Sequence, residues 1–179
     1  IIPAAIAAEN KIEIGTNTDL ASDIIGLNGL MDLVESDGYR VNGFFADGTM
    51  EARLRDLRDK NNQLLYMPSL TSSVPSTMIG RPIEYDNQGV FDATKALMVA
   101  GDFTKAVYSL RQDMTYKVLD QAIIQNTDGT IAYNLAQQDM VALRCVMRLA
   151  VQIANPITRK NATSSTRYPF AVLQPKATT

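Results

Sequence analysis

Every second residue from 141 to 153 is apolar: Val141, Leu143, Cys145, Met147, Leu149, Val151 and Ile153, while Arg144, Arg148 and Gln152 occupy intervening positions. A period of two sends successive side chains to opposite faces of an extended chain, so the pattern predicts a β-strand over residues 140–154. A helix fits the stretch in part, but it would stack Arg144 and Arg148 as like charges four residues apart and leave the alternation without a cause. At ~3.3 Å per residue the strand would span roughly 45 Å, longer than a compact domain usually needs, which suggests a strand that leaves its domain to reach something else.

Residues 95–121 extend the same theme. The apolar run Leu97, Met98, Val99, Ala100 suits a short buried strand, and Gly101-Asp102 supplies small residues for a corner. From Ala106 onward Ala106, Tyr108 and Leu110 alternate with Val107, Ser109 and Arg111; Gln112-Asp113 reads as a turn; and Met114, Tyr116 and Val118 alternate with Thr115, Lys117 and Leu119. These segments are expected to form a three-strand meander packed on more than one side.

Elsewhere the signals are mixed. Lys11-Ile12-Glu13-Ile14 reads as a short strand closed by Gly15. Leu20, Ile24, Leu27, Met31 and Val34 fall at helical spacing after the capping candidates Thr16, Asn17, Thr18 and Asp19. One amphipathic helix is expected there, running to Asp37-Gly38, with Gly26 and Gly29 each costing about 1 kcal/mol inside it. Residues 39–46 read as a strand bulged at Gly43. A helix capped by Asp47 or Thr49 follows, with Met50, Leu54 and Leu57 on one face. Residues 68–76 form a polar loop containing two prolines, residues 78–83 an edge or bulged strand around Pro82, and Asn126 to Gly129 a turn. Residues 159–167 are expected to form a flexible polar loop, and residues 168–173 a last short strand.

Composition narrows the function. The 179 residues suit one domain, and the net charge of −2 with scattered Lys and Arg argues against a nucleic-acid footprint. No apolar run approaches the ~18 to 20 residues of a membrane-spanning helix. With no histidine and one cysteine, the common zinc sites and the Ser-His-Asp and Cys-His catalytic devices are excluded. No cofactor, metal or catalytic residue is expected. Cys145, flanked by Leu143, Val146 and Met147, is expected to be a buried thiol, and the eight methionines core filler. The start at Ile1-Ile2-Pro3, without an initiator Met, reads as a fragment.

Taken in order, these pieces resemble the C-terminal half of the major capsid proteins of tailed bacteriophages, the Hong Kong 97 type capsid fold. The resemblance rests on Leu54-Arg55-Asp56-Leu57-Arg58-Asp59 with Leu65-Tyr66, on Gly80-Arg81-Pro82-Ile83, and on Gly101-Asp102-Phe103 with Ala106-Val107-Tyr108. It ends on the Arg144 to Arg148 strand closed by Asn155-Pro156. It implies an α+β fold: a mixed sheet flanked by helices, like that family's A domain, with strands returning to the P domain. The implied organisation is an N-terminal segment over residues 1–15, an A-domain-like part over 16–136, and returning strands over 137–179. The implied role is a structural subunit, not an enzyme, that tiles an icosahedral virion capsid as pentamers and hexamers around the DNA genome and is assembled in the host bacterial cytoplasm. Its partners would be copies of itself, with scaffold and maturation protease as further candidates, and neither a specific nucleic-acid contact nor a membrane is expected. Where some members cross-link through an Asn and a catalytic Glu, this chain has Asp139 and Val146, which supports no isopeptide chemistry. An encapsulin-like nanocompartment shell and a carboxylate-dependent hydrolase are the alternatives.

The candidate subunit interface consists of the loop Pro68, Ser69, Leu70, Thr71, Ser72, Ser73, Val74 and Pro75, read as the tip at the capsomer axis, with the charged Arg55, Arg58 and Asp59 nearby. Asp19, Asp23, Asp32 and Glu35 are read as a solvated helix face with no acid-base role.

Overall fold

The apolar run near residue 98 becomes a strand enclosed on both faces, β5 (Met98–Gly101), all four of whose residues are buried. In the computed structural model, which describes residues 1–58, 61–66 and 76–176, it belongs to a six-stranded sheet. The other members, numbered in chain order, are β1 (Lys11–Glu13), β2 (Gly43–Asp47), β3 (Thr77–Met78), β4 (Arg81–Asp86) and β10 (Phe170–Gln174). Their order is β1-β10-β5-β2-β4-β3, with β1/β10 and β2/β4 parallel and the remaining pairs antiparallel. The chain is thus α+β with a mixed sheet, as expected.

Among the described residues four α-helices accompany the sheet: α1 (Ile2–Ala7), α2 (Leu20–Ile25), α3 (Leu30–Ser36) and α4 (Gly48–Arg55). Alternation along the strands sorts the core into two layers. Phe44, Ala46, Ile83, Met98, Ala100 and Leu173 pack with Ile24, Leu30, Val34, Met50 and Leu54 of α2, α3 and α4. Phe45, Val99, Phe170 and Val172 form the other layer with Ala5 of α1 and Phe91, and the Phe45 and Phe91 rings lie 5.0 Å apart. Each of the larger side chains contributes about 1.5–3 kcal/mol by leaving water.

The single helix expected over residues 20–36 is two. Gly26 ends α2 in an extended conformation, and Asn28 takes a φ of 58°. The chain folds so tightly that a Cβ on Gly29 would meet the Gly26 carbonyl at 2.7 Å. The glycines therefore break the helix instead of being tolerated inside it. Asp19 caps α2 by accepting from Ser22 N at 2.7 Å, which lowers its carboxyl pKa. Asp23, expected on a solvated face, is fully buried; its oxygens accept from Gly15 N and Asn17 N, both at 2.7 Å. The segment around Pro82 is a hairpin, β3 to β4, turned by Ile79 and Gly80 at positive φ.

The loop before β10, expected to be flexible, holds a buried polar network. Asp37, at the end of α3, accepts from Asn10 Nδ2 at 2.8 Å, Asn161 Nδ2 at 2.7 Å and Tyr168 N at 3.0 Å. Arg167 is 2% exposed and donates to Asn155 Oδ1, Asn155 O and Asn161 O. Tyr39 donates to Asn155 Oδ1 at 2.7 Å, and burial raises its hydroxyl pKa.

The expected meander does not form. No turn occurs at Gln112-Asp113, and residues 106–119 are one 14-residue strand, β6 (Ala106–Leu119). The pair lacks the Asn-Gly or Asp-Gly order that a tight two-residue hairpin favours, and the chain stays extended. Its partner is distant in sequence: β6 pairs with β9 (Ala142–Ile153), the strand expected from the alternation, in a two-stranded sheet. Between them β7 (Ile123–Gln125) and β8 (Ile131–Asn134) form an antiparallel hairpin around the Asp128-Gly129 turn.

The chain divides into two compact units, Ile1–Ala106 with Ile153–Thr179, and Val107–Gln152. β1 and β10, read from the sequence as parts of outlying segments, are strands of the six-stranded sheet in the first unit.

Two substitutions test this packing. Asp37→Ala strands the buried Asn10 amide, the half-buried Asn161 amide and a backbone N–H, so a loss of about 3 kcal/mol in urea-unfolding free energy is expected; a loss below about 1 kcal/mol would contradict the network. Gly101→Ala places a methyl against the Phe170 ring and 2.5 Å from the Pro169 carbonyl. Its expected cost is about 1–3 kcal/mol, seen as a lower melting temperature with β-sheet circular dichroism retained.

Candidate assembly surfaces

Among the expected interface residues, Arg55 and Arg58 fall within the described structure. Asp59, Pro68, Ser69, Leu70, Thr71, Ser72, Ser73, Val74 and Pro75 lie outside the described residues. Arg55 is the last residue of α4, whose Asp47 cap and buried Met50 and Leu54 match expectation. Arg58 is exposed just beyond; its Nη1 donates to Asn62 O at 3.4 Å, and its backbone forms an isolated bridge with Leu64. Both cations therefore lie at one end of a short, anchored helix. Nearby, Tyr85 has its hydroxyl pKa raised by burial and by its 3.0 Å hydrogen bond with Tyr66.

A cleft of about 500 Å³ lies over β2 and β4, lined by Phe44, Phe45, Pro82 and Phe103, with one carboxylate, Glu84. A paired-carboxylate hydrolase needs two acids facing each other about 5–10 Å apart, and this cleft does not supply them.

The second unit has a different character. Its β6–β9 ribbon exposes large apolar side chains along both strands. Tyr108, Met114, Tyr116 and Val118 on β6 are 49–78% exposed, and Leu143, Met147, Leu149 and Val151 on β9 are 46–67% exposed. Odd positions of β9 share one face, so Leu143, Cys145, Met147, Leu149 and Val151 form a continuous apolar row. On the opposite side of that strand Arg144, Val146 and Arg148 meet Gln112, Thr115 and Lys117 of β6 around a cleft of about 180 Å³. Thr115 Oγ1 donates to Val146 O at 3.3 Å across the pair. At the hairpin, Asp128 accepts from the Thr130 hydroxyl and from Thr130 N, and these bonds lower its carboxyl pKa. Leu135 is the buried apolar residue of this unit.

A mixed sheet with helices on its faces, joined in sequence to a long two-stranded ribbon rich in exposed apolar groups, is the equipment of a subunit that meets other protein surfaces. Comparison with known proteins agrees. The profile of the phage capsid family matches residues 2–158, and the chain belongs to that family. The major capsid protein of Staphylococcus phage 80alpha is 30% identical over 157 residues, covering 86% of this chain and 45% of that protein. A solved chain from Microbacterium phage Oxtober96 superposes with a TM-score of 0.79 at 35% identity, over 98% of this chain and 54% of its own length. One from Mycobacterium phage Cain gives 0.76 at 26% identity, over 99% and 55%. This chain thus spans about half the length of the relatives it matches. The capsid of an empty GTA particle shares the fold at a TM-score of 0.57 and 16% identity, over 93% of this chain and 50% of that one.

Sequence reasoning missed the apolar ribbon because it assigned those residues to a core. Met31, Met50 and Met78 are indeed buried, but Met114, Met140 and Met147 are 42–49% exposed. Cys145, expected to be buried, is exposed. A signal was present: Tyr108 and Leu110 share their even-numbered phase with Met114, Tyr116 and Val118 across the polar Gln112, which a turn at 112–113 would not require. Cys145 supplies the check. Its thiol should react with a small aromatic disulfide under native conditions within about tenfold of the rate of the unfolded chain, since access limits such exchange. Protection beyond a hundredfold would place it in a core.

Proposed function

We propose that this chain forms the greater part of a structural subunit that tiles the icosahedral capsid of a tailed phage or prophage, associating with copies of itself as pentamers and hexamers around the DNA genome. One observation carries the reading beyond family membership: the β6–β9 ribbon leaves both strands' apolar side chains in water, and a lone pair of strands is marginal without a further packed layer. Such a surface is built to be covered. The relatives named above, which come from phages, support a genome-enclosing shell over a nanocompartment for enzyme cargo.

In this reading, and in place of the bounds 16–136 and 137–179 expected from the sequence, the six-stranded sheet and its helices correspond to the A domain, and the ribbon of residues 107–152 carries the strands that belong with the P domain. The loop of residues 68–75, with Arg55, Arg58 and Asp59, meets neighbouring subunits near the capsomer axis. Scaffold and maturation protease are its partners during assembly in the host cytoplasm, and the virion capsid is its destination. The role requires no bond-making step, so binding surfaces and not catalytic residues carry it.

Negative-stain electron microscopy and sedimentation velocity of the protein, produced alone and beside a scaffold and maturation protease, test the reading. Rings of five or six subunits, or closed shells, are expected. A chain that stays monomeric at its highest soluble concentration in both preparations overturns it.

A further inference from the structure

Three cations line one cleft of the β6–β9 ribbon, and among the described residues no carboxylate lines it with them. Lys117, Arg144 and Arg148 line the cleft of about 180 Å³ with Gln112, Thr115 and the half-buried Val146. All three are exposed, and among the described residues none of them takes part in an ion pair. Arg144 and Arg148 are two pleats apart on one face, ~13 Å along the strand, with Lys117 on the facing strand. Gathering like charges costs free energy in the isolated chain, and an anionic partner would return it. Thr115 and Gln112 add neutral hydrogen-bonding groups between the cations.

The distribution of charge identifies the partner. Within β6 and β9, Arg111, Lys117, Arg144 and Arg148 face Asp113 alone, an excess of three positive charges. The whole chain is net −2, so everything outside these two strands carries an excess of five negative charges. A second copy therefore presents surfaces of the complementary sign. Nucleic acid fits less well, because sequence-independent phosphate binding draws on roughly 6–10 contacts and is opposed by a net negative chain.

We propose that this cationic cleft is an intersubunit docking surface that receives an acidic segment of a second copy of this chain, with the Arg144 and Arg148 guanidinium groups pairing with Asp or Glu carboxylates. The proposal rests on the shell reading above and names one of its contacts. It assigns the ribbon's polar side to selecting the neighbour's orientation, a task that rim charges perform through steering and register.

Two measurements on the assembled protein test it. In particles built from a mixture of isotopically light and heavy chains, a zero-length carbodiimide should couple the Lys117 amine to an Asp or Glu of a differently labelled chain. In sedimentation, the double variant Arg144→Glu, Arg148→Glu should associate at least about tenfold more weakly than the native chain, and rising salt should weaken the native association. A variant that assembles like the native chain, together with no mixed-isotope Lys117 link, overturns the proposal and leaves the shell reading standing. Binding of a short DNA duplex that the reversal abolishes, with self-association intact, also overturns it and assigns the cleft to phosphate. A native chain that never associates overturns both readings. If the double variant fails to fold by circular dichroism, Lys117→Glu and the cross-link on unmodified protein decide the matter.

Discussion

The carboxylate of Asp37 joins three parts of the chain that sequence keeps far apart. It accepts from Asn10, 27 residues before it, and from Asn161 and Tyr168, 124 and 131 residues after it. These partners flank β1, α3 and β10, so one buried side chain fixes where the two ends of the first unit enter the sheet. The constraint follows from topology. β10 lies between β1 and β5 and is buried on both faces, yet the chain reaches it through residues 155–168, whose backbone groups need partners wherever they leave water. Arg167 and Asn155 satisfy that requirement beside Asp37. A charged group enclosed in this way gains little net stability from its pairing, but it strongly disfavours any arrangement that leaves the donors unpaired. The sheet can therefore close in one register, and its closure depends on contacts of long sequence separation, which places this unit among slow-forming topologies.

Much of the first unit was legible because its signals are local. The α4 cap at Asp47, the buried run of β5, the Gly101-Asp102 corner and the final strand each depend on a few consecutive residues. Gly26 and Gly29 were weighed as a penalty inside a helix, when two glycines three residues apart flanking Asn28 are better read as a break that permits positive φ. Asp23 and Arg167 were assigned to solvent because they are charged and lie in polar stretches. Their burial depends on backbone N–H and C=O groups from elsewhere in the chain, and no window of sequence contains those partners. The same limit applies to Asp37, which from sequence marks only the end of a helix.

The second unit was misread for a different reason. Alternation reports that a strand has two unlike faces, but it does not say what covers the apolar one. Apolar neighbours alone suggest that Cys145, Met114 and Met147 are buried, and the polar pair Gln112-Asp113 suggests a turn. In the structure the extended strand continues through those residues and pairs instead with β9. The candidate interface residues come from a polar loop, which the family resemblance places at the capsomer axis, and from a charged helix end. The ribbon exposes large apolar groups as well, Tyr, Leu, Val and Met, beside its cations.

In the proposed shell contact, the two faces of the ribbon divide the work of recognition in a way that either alone would not accomplish. Apolar burial is proportional to area and nearly indifferent to direction, so a row such as Leu143, Met147, Leu149 and Val151 supplies affinity without choosing a register. Charges act the other way: they contribute little net affinity at a wet rim, but a misplaced neighbour meets like charge or leaves a guanidinium unpaired. A shell subunit needs both properties, because the same surface recurs at every position and an error in one contact propagates to the next. Placing cations and apolar groups on opposite sides of one strand also couples them. Any movement of β9 that improves one contact shifts the other by the same distance, so the neighbour is read by two surfaces locked to a single piece of backbone.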